Sequence, residues 1–352
     1  MKSTSPIVCR SAAALATVLS CAALAQSPPD YKVTRTVALG APDRWDYVTF
    51  DPSSDRVFVA HGDEVTVVNG STGEIVGHVK GMPGGTHGIA LVTTAGRGYT
   101  DDGHAGEAVS FNLKTLAVEK HIKAAEDADA IAFDPVSGHV FVINGDTGTV
   151  TVIDPKSDSA ITTIHAGGKL EFAVSGNNGK LYVNGAEAKE VVRIDTHSNT
   201  VDARWPIPEC TSPHGAAIDT QTHRLFVSCV NNVLTVVNTD SGAVVAKLPI
   251  GSGTDAAAFD PKRKLIFSSN GRDGNLSIIQ EKDPETFVSL GNLNTAVSAR
   301  TMNINPATGR LYLASADIDQ AADKPPAPGE AQRRRVAFVP GSLKLLFLDP
   351  PH

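Results

Sequence analysis

The sequence predicts an all-β protein, a seven-bladed β-propeller whose blades are four-stranded antiparallel sheets. Its composition is the first reason: of 352 residues 41% are hydrophobic, only 5% are aromatic and 31 are glycine. Such a composition suits many short strands joined by tight turns better than two average domains. The second reason is an internal repeat of about 41 residues. The third is that the two ends of the chain complement each other, which predicts a closed ring.

The repeat is defined by a turn and an aromatic residue. Each copy has an apolar strand, a turn that often begins Asp-Pro, and a second strand that carries the aromatic. The turns open at Asp51, Val92, Asp134, Ser175, Asp219, Asp260 and Asn305. The aromatic lies seven residues later in every copy: Phe58, Tyr99, Phe141, Tyr182, Phe226, Phe267 and Tyr312. Seven copies in phase, at intervals of 41 to 45 residues, predict seven equivalent units.

Each copy continues with two further strands. In the first copy these are residues 65–68 and the more polar residues 75–79. Four short strands without helical periodicity are typical of a propeller blade. The seventh copy has only one more apolar strand, at 343–348, and residues 31–39 supply the missing fourth strand. The N-terminal strand is therefore predicted to complete the last blade and close the ring, leaving no gap that would favour aggregation.

The N-terminus resembles a signal peptide. Lys2 and Arg10 precede an apolar stretch, and Ala-Leu-Ala at 23–25 suits cleavage before Gln26. We therefore expect a signal peptide at 1–25 and one domain at 26–352 in the periplasm or secreted. The alternative is a lipoprotein modified at Cys21, although the residues before it fit that signal poorly. No later segment is apolar for long enough to cross a bilayer.

The cysteine positions predict a disulfide, and the net charge disfavours one class of partner. Cys210 and Cys229 are the only cysteines outside the predicted signal peptide, so an exported protein is predicted to join them in a disulfide. Two buried thiols are the alternative. Cleavage changes the formal charge from −7 to −9, which disfavours nucleic acid as a partner.

Several phrases of the repeat resemble a known family. Residues 181–184 read Leu-Tyr-Val-Asn, and third strands end Ile-Asp at 153–154 and 194–195. These features are similar to the YVTN-type repeat of the YncE-like periplasmic propellers. The resemblance implies the propeller fold over the mature chain, but that family includes binding proteins, surface-layer components and enzymes, so it implies no single activity. One YncE-like protein is associated with single-stranded DNA binding, yet this sequence has neither the basic groove nor the stacking aromatics for it.

Polar residues recur where each innermost strand begins, at the mouth of the predicted central channel. Five positions before the turn residues lie Asp46, His87, Asp129, Leu170, His214, Asp255 and Arg300. Glu171 would replace Leu170 if that blade is shifted by one residue. Imidazole and carboxylate together suit zinc, manganese, iron or copper. The predicted metal ligands are His87 and His214 through nitrogen, and Asp129, Glu171 and Asp255 through oxygen.

Two simpler interpretations remain open for these residues. Polar side chains at strand starts can hydrogen-bond the neighbouring blade, and Arg300 can pair with Asp46 and Asp255 across the seam. For a ligand, the predicted contacts are Asp46, Tyr47, His104, Glu171 and Arg300.

A long insertion at 318–340 in blade seven, with Arg333, Arg334 and Arg335, is predicted to form a loop over the same face.

Two classes of function follow. The first, which the sequence favours narrowly, is a binding or scaffold propeller, monomeric, that captures a small molecule, a metal or a peptide, or contacts an envelope protein. The second is a metal-dependent lyase or lactonase for a small anionic substrate. There the metal would polarise a carbonyl, His87 or His214 would move a proton, and Arg300 would hold the anionic group. The sequence leaves open whether any catalysis occurs.

Overall fold

The chain forms seven four-stranded antiparallel sheets. This computed structural model describes residues 28–320 and 336–351, together with Met1. The predicted signal peptide, Cys21 and the arginines at 333–335 lie outside the described residues. Within them, no helix is long and apolar enough to cross a membrane.

The blades follow one another along the chain, and each has its strands in order from the innermost to the outermost. Blade 1 has β2 (Trp45–Asp51), β3 (Arg56–His61), β4 (Glu64–Asn69) and β5 (Ile75–Lys80); blade 2 has β6 (Ile89–Val92), β7 (Arg97–Asp102), β8 (Glu107–Asn112) and β9 (Val118–Lys123), with a 3₁₀ turn at Thr93–Ala95. Blade 3 has β10 (Ala128–Asp134), β11 (His139–Asn144), β12 (Thr149–Asp154) and β13 (Ser159–His165); blade 4 has β14 (Leu170–Ser175), β15 (Lys180–Gly185), β16 (Glu190–Asp195) and β17 (Thr200–Pro206). Blade 5 has β18 (Pro213–Asp219), β19 (Arg224–Cys229), β20 (Val233–Asn238) and β21 (Val244–Pro249); blade 6 has β22 (Thr254–Asp260), β23 (Leu265–Asn270), β24 (Asn275–Asp283) and β25 (Thr286–Asn294). Blade 7 has β26 (Thr301–Ile304), β27 (Leu311–Ser315), β28 (Lys344–Asp349) and β1 (Lys32–Ala38).

The two ends of the chain share blade 7, as the sequence predicts. Strand β1 pairs antiparallel with β28, from Lys32 opposite Asp349 to Ala38 opposite Lys344. The innermost strands contact one another in order around the ring, and β26 contacts β2. The predicted fold class, including closure by the N-terminal strand, is confirmed.

The repeat aromatics form the core between blades. None of the seven is more than 2% exposed. Second strands are buried on both faces because each blade packs against two neighbours; in β11, residues 140–143 are a continuous apolar run with no exposure. The outermost strands face solvent, as in β5, where Ile75 and Val76 are exposed.

The turn-opening aspartates also link blades. Asp134 accepts hydrogen bonds from Ser175 (2.6 Å) and Thr196 (2.8 Å) of blade 4. Both donors are neutral hydroxyls, so the carboxylate keeps its charge while it is buried. The same seam between blades 5 and 6 has a different chemistry. There Glu281 occupies the position equivalent to Thr196. The second strand of blade 4 begins at Lys180, which pairs with Asp195, the residue before Thr196. The second strand of blade 6 begins at Leu265, which pairs with Gln280, the residue before Glu281.

Glu281 is a buried acid beside another acid. It is 3% exposed, its Oε1 accepts a hydrogen bond from Thr222 (2.8 Å), and its Oε2 has no hydrogen-bond partner among the described residues. Burial raises the pKa of Glu281 to about 7, and the neighbouring Asp219 adds to the shift. Asp219 is itself held by Lys264 at 2.6 Å. At neutral pH this seam therefore holds a proton that an ordinary glutamate would have lost.

We expect Glu281→Gln to stabilise the protein above pH 7 and to leave it unchanged below about pH 4.5. The folded-state pKa of Glu281 is raised above the unfolded one, so the native state binds the extra proton between these limits and wild-type stability falls as the pH rises through them. Glutamine mimics the protonated acid at every pH. Melting temperatures of both proteins at pH 4.5 and 8 check this: a difference of several degrees at pH 8 is expected, and an equal difference at both pH values would contradict it.

The predicted disulfide is present. Cys210 and Cys229 are bonded, with their Cα atoms 5.2 Å apart. The bond joins the loop after β17 to the end of β19, where Cys229 pairs with Pro213, the first residue of β18. It therefore fixes the segment that leads into His214.

Candidate functional site

The candidate site is the mouth of the central channel, where the innermost strands begin. Five of these strands have a pairing irregularity at that end, as between Trp45 and Val48 in β2. Bulges of this kind re-aim side chains and are common beside functional sites. Seven partly exposed polar side chains stand at equivalent positions and are called the mouth residues below: Asp46, His87, Asp129, Glu171, His214, Asp255 and Arg300.

Blade 4 contributes Glu171, not Leu170. In blade 1 the repeat aromatic Phe58 pairs with Thr49, two residues before the turn residue Asp51. In blade 4 the aromatic Tyr182 pairs with Val174, only one residue before the turn residue Ser175. The shift moves Glu171 into the mouth and leaves Leu170 with no exposure.

Arg300 is surrounded by its own partners. Its Nε lies 2.8 Å from Asp255 Oδ2, an ion pair in which the N–H does not point at the oxygen, and its Nη2 lies 3.8 Å from Asp46 Oδ2. Nη2 also donates to the carbonyl of Trp45 (2.8 Å), and the guanidinium lies 5.1 Å from the centre of the Trp45 ring. These contacts join blades 6, 7 and 1, which is the seam pairing that sequence reasoning left open.

His87 is fixed by a buried carboxylate. Its Nδ1 lies 2.7 Å from Asp101 Oδ2, while Asp101 Oδ1 accepts the backbone N–H groups of His87 and Gly88, both at 2.8 Å. Burial alone would lower the pKa of His87, but the pairing with Asp101 outweighs it and raises that pKa to about 9. Burial also raises the pKa of Asp101, to about 6, against the opposing effect of His87. The imidazole therefore carries charge at neutral pH and presents Nε2 as a donor.

Asp129 and Glu171, called the acidic pair, have no such partner. Within residues 28–320 and 336–351 neither carboxylate makes a hydrogen bond or an ion pair. Burial raises the pKa of Asp129 well above its usual range, and the charges of Asp46 and Glu171 raise it further. Burial likewise raises the pKa of Glu171, with His214 opposing the shift. The acids of the mouth that lack a basic partner therefore lie on blades 3 and 4.

His214 lies beside the acidic pair in blade 5. Its Nδ1 is 3.2 Å from the carbonyl oxygen of Ser212, so a proton on Nδ1 leaves Nε2 as an acceptor. In both His87 and His214, Nδ1 is therefore engaged and Nε2 is the nitrogen left for the mouth.

Two aromatic side chains close the mouth from below. Tyr47 of blade 1 reaches across the channel to Phe172 of blade 4, with ring centres 5.0 Å apart at 60°. Tyr47 also packs with the core of blades 3 and 4, including Ala130 and Leu170. Beneath this aromatic floor, the channel is a cavity of about 360 Å³ lined by inner-strand residues such as Ile89, Ile131 and Met302. The polar mouth residues therefore stand at one end of a mainly apolar channel, next to the Tyr47 and Phe172 rings, which also line it.

The remaining predicted ligand contact, His104, lies in the loop after β7 and is exposed. The base of the predicted insertion is ordered by an antiparallel bridge between Ile318 and Phe338. Phe338 packs on Trp45, 5.1 Å between ring centres, and Trp45 underlies Arg300. The base of the insertion thus stands at the rim of the mouth.

Three contributors to the site were not among the predicted site residues. Phe172 follows Glu171, and only the register shift of blade 4 brings it to the mouth. Asp101 lies in an acidic run whose buried role depends on a pairing 14 residues away. Burial raises the pKa of Asp46, and the charge of the exposed Arg44 opposes that shift, after the larger effect of Arg300. Arg44 precedes the strand, where the repeat gives no signal.

The five predicted metal ligands stand on five different blades. In the part of the chain that the structure describes, no three His, Cys, Asp or Glu side chains approach closely enough to hold one metal ion. Binding of a metal by these residues stays a prediction.

Comparisons with known proteins agree with the fold and leave the activity open. The family described as "Domain of unknown function (DUF5074)" matches residues 94–270. The "Uncharacterized protein YncE" of Salmonella typhimurium is 26% identical over 176 residues, and the matched region is 48% of each protein, so the chain spans about half the length of this curated relative. The predicted likeness to YncE-like propellers is confirmed.

Solved structures show the same architecture at low identity. A chain of Kuenenia stuttgartiensis hydrazine synthase has a TM-score of 0.65 at 16% identity, covering 76% of this chain and 91% of that one. A chain of a mitotic checkpoint complex gives 0.72 at 13% identity, covering 99% of both. The structure of U3-55K gives 0.74 at 9% identity, covering 92% of this chain and all of that one. At these identities the likeness concerns the fold alone.

Proposed function

The chain belongs to the DUF5074 family, and from that premise we propose that it is an exported propeller that binds a small charged ligand at the mouth of its central channel. The observation that carries the proposal is the convergence of seven polar side chains around one opening, beside the contact of the Tyr47 and Phe172 rings. A concave site with a few convergent polar groups over an apolar base is the usual form of a small-molecule site.

The charges of the mouth support ligand binding over a purely structural role. Arg300 and His87 have partners that explain their positions. Asp129 and Glu171 do not, and their raised pKa values mean that the fold keeps them ionised only at a cost. A binding site has a reason to retain free carboxylates.

Export is part of the proposal. The Lys2 and Arg10 pattern before an apolar stretch supports a periplasmic or secreted protein, and the disulfide suits an oxidising compartment. The ligand would be met there as a free small molecule or as a group on a peptide or envelope protein.

A metal-dependent lyase or lactonase is the second candidate, and the His87–Asp101 pair favours it. A carboxylate that holds Nδ1 leaves Nε2 to move a proton. The raised pKa makes His87 a proton donor at neutral pH, while His214 would serve as the base. Arg300 would hold an anionic group, and the carboxylates of Asp129, Glu171 and Asp255 would hold zinc, manganese, iron or copper while the histidines move the proton.

The first test separates these two candidates. The mature protein, purified without a metal-affinity tag, is analysed for metal and then titrated with zinc, manganese, butyrate, n-butylammonium and γ-butyrolactone while its melting temperature is followed. The matched variants are Asp46→Asn/Asp255→Asn and Asp129→Asn/Glu171→Gln in the mouth, with Asp240→Asn on the opposite face as control.

A saturable rise in melting temperature for one probe, kept in Asp240→Asn and lost in one or both mouth variants, is the expected result. Hydrolysis of the lactone that disappears in His87→Ala/His214→Ala would replace the binding proposal with the enzyme candidate. Binding by none of the probes, or equal binding in all variants, would overturn the mouth as a site.

A further inference from the structure

We propose that the ligand binds through a primary ammonium group, held by the carboxylates of Asp129 and Glu171 and the hydroxyl of Tyr47. The inference rests on the proposed function, because it names the ligand class for the same mouth. It is carried by two carboxylates without partners in the described residues, by the hydroxyl of the mostly buried Tyr47, which likewise has none, and by the contact between the Tyr47 and Phe172 rings.

The acidic pair can attract a cation, because its carboxylates are negative when ionised and have no basic partner. The basic groups nearby are engaged elsewhere: Lys169 pairs with Asp146 at 3.2 Å, and Arg300 pairs with Asp255 and Asp46. His214 opposes the raised pKa of Glu171 but makes no ion pair with it. A cation placed between Asp129 and Glu171 would remove their mutual repulsion, whereas an anion would add to it.

The Tyr47 hydroxyl supplies a third contact, independent of the acids. The side chain is 8% exposed, yet within the described residues its hydroxyl has no hydrogen-bond partner. Its hydroxyl oxygen is not one of the buried polar atoms without a partner, so it remains accessible to a ligand. Its position among the carboxylates is evident from its pKa, which burial raises well above the usual value and which Asp129 raises further, more than any other acid does.

These three acceptors match a primary ammonium better than other cations. The group R–NH₃⁺ carries three N–H donors and no acceptor, so two carboxylates and one phenol oxygen satisfy it. A quaternary ammonium has no donor for them. The Tyr47 and Phe172 rings, with centres 5.0 Å apart, add cation–π attraction and a base for the first carbons of the chain.

The experiment is a calorimetric titration of the mature protein with n-butylammonium, beside tetramethylammonium, n-butanol and butyrate as probes of matched size or charge. We expect saturable binding of n-butylammonium, binding at least about tenfold weaker for tetramethylammonium, and none for n-butanol or butyrate. Asp129→Asn/Glu171→Gln should raise the Kd at least about tenfold, and Tyr47→Phe, which keeps the ring, about fivefold. Asp240→Asn should leave the Kd unchanged.

Folding of the double variant is checked in the same series. Because it removes repulsion between two partly buried acids, its melting temperature without ligand should exceed that of the wild type. Binding of another probe but not of n-butylammonium, or equal Kd values in wild type and double variant, would overturn the ammonium inference and leave mouth binding intact. Binding of no probe at all would overturn both proposals.

Discussion

Replacing Asp101 with alanine is expected to lower the free energy of unfolding by about 4 kcal/mol, the range found when one partner of a buried ion pair is removed. Asp101 has no exposure and accepts three hydrogen bonds, from the imidazole of His87 and from the backbone N–H groups of His87 and Gly88. Alanine would leave all three donors buried without an acceptor. Urea denaturation at 25 °C and pH 7, between the pKa values of Asp101 and His87, measures the loss.

The pH dependence of the free energy of unfolding distinguishes the contribution of the His87–Asp101 ion pair from that of packing. The folded-state pKa of His87 is about 9, so its share of stability is full below about pH 6.5, where the unfolded imidazole is also charged, and is lost as the pH rises through 9. The Asp101→Ala variant should lack this loss. As a control, Asp240→Asn removes an exposed carboxylate that pairs with His223 at 2.9 Å and should change little. A loss below about 1 kcal/mol in Asp101→Ala would mean that the pair contributes nothing net.

Removing the disulfide is expected to destabilise the protein by about 3 kcal/mol, because the cross-link closes a loop of 19 residues and restricts the unfolded chain. The double variant Cys210→Ala/Cys229→Ala avoids a free thiol, and urea denaturation measures its stability. Wild-type protein unfolded in the presence of a reductant should match the variant, which provides the internal control. The hypothesis fails if the reduced protein is as stable as the oxidised one.

The disulfide also affects the mouth. Cys229 pairs with Pro213, the residue before His214, so the loop that leads into His214 is anchored by the same bond. If the mouth binds its ligand as proposed, loss of the disulfide should weaken that binding modestly and not abolish it, because the acidic pair lies on blades 3 and 4.

The sequence by itself determined the architecture. A turn residue and an aromatic seven positions later, repeated seven times, allow only equivalent units, and an incomplete last copy with a spare strand at the start requires closure through blade 7. The two remaining cysteines determined the disulfide. These features are local in the chain or repeat along it, so pattern alone reveals them.

Only the tertiary structure decided what the mouth residues do. Position along the repeat placed Asp46, His87 and Arg300 together, but whether each charge has a partner depends on side chains from other strands and blades. Asp101 pairs with His87, while Asp255 and Asp46 pair with Arg300. The one-residue shift of β14 replaced Leu170 with Glu171 and brought Phe172 beneath Tyr47. Such pairings join residues from 14 to more than 250 positions apart. Distance and burial set their electrostatics, and the order of residues along a chain contains neither.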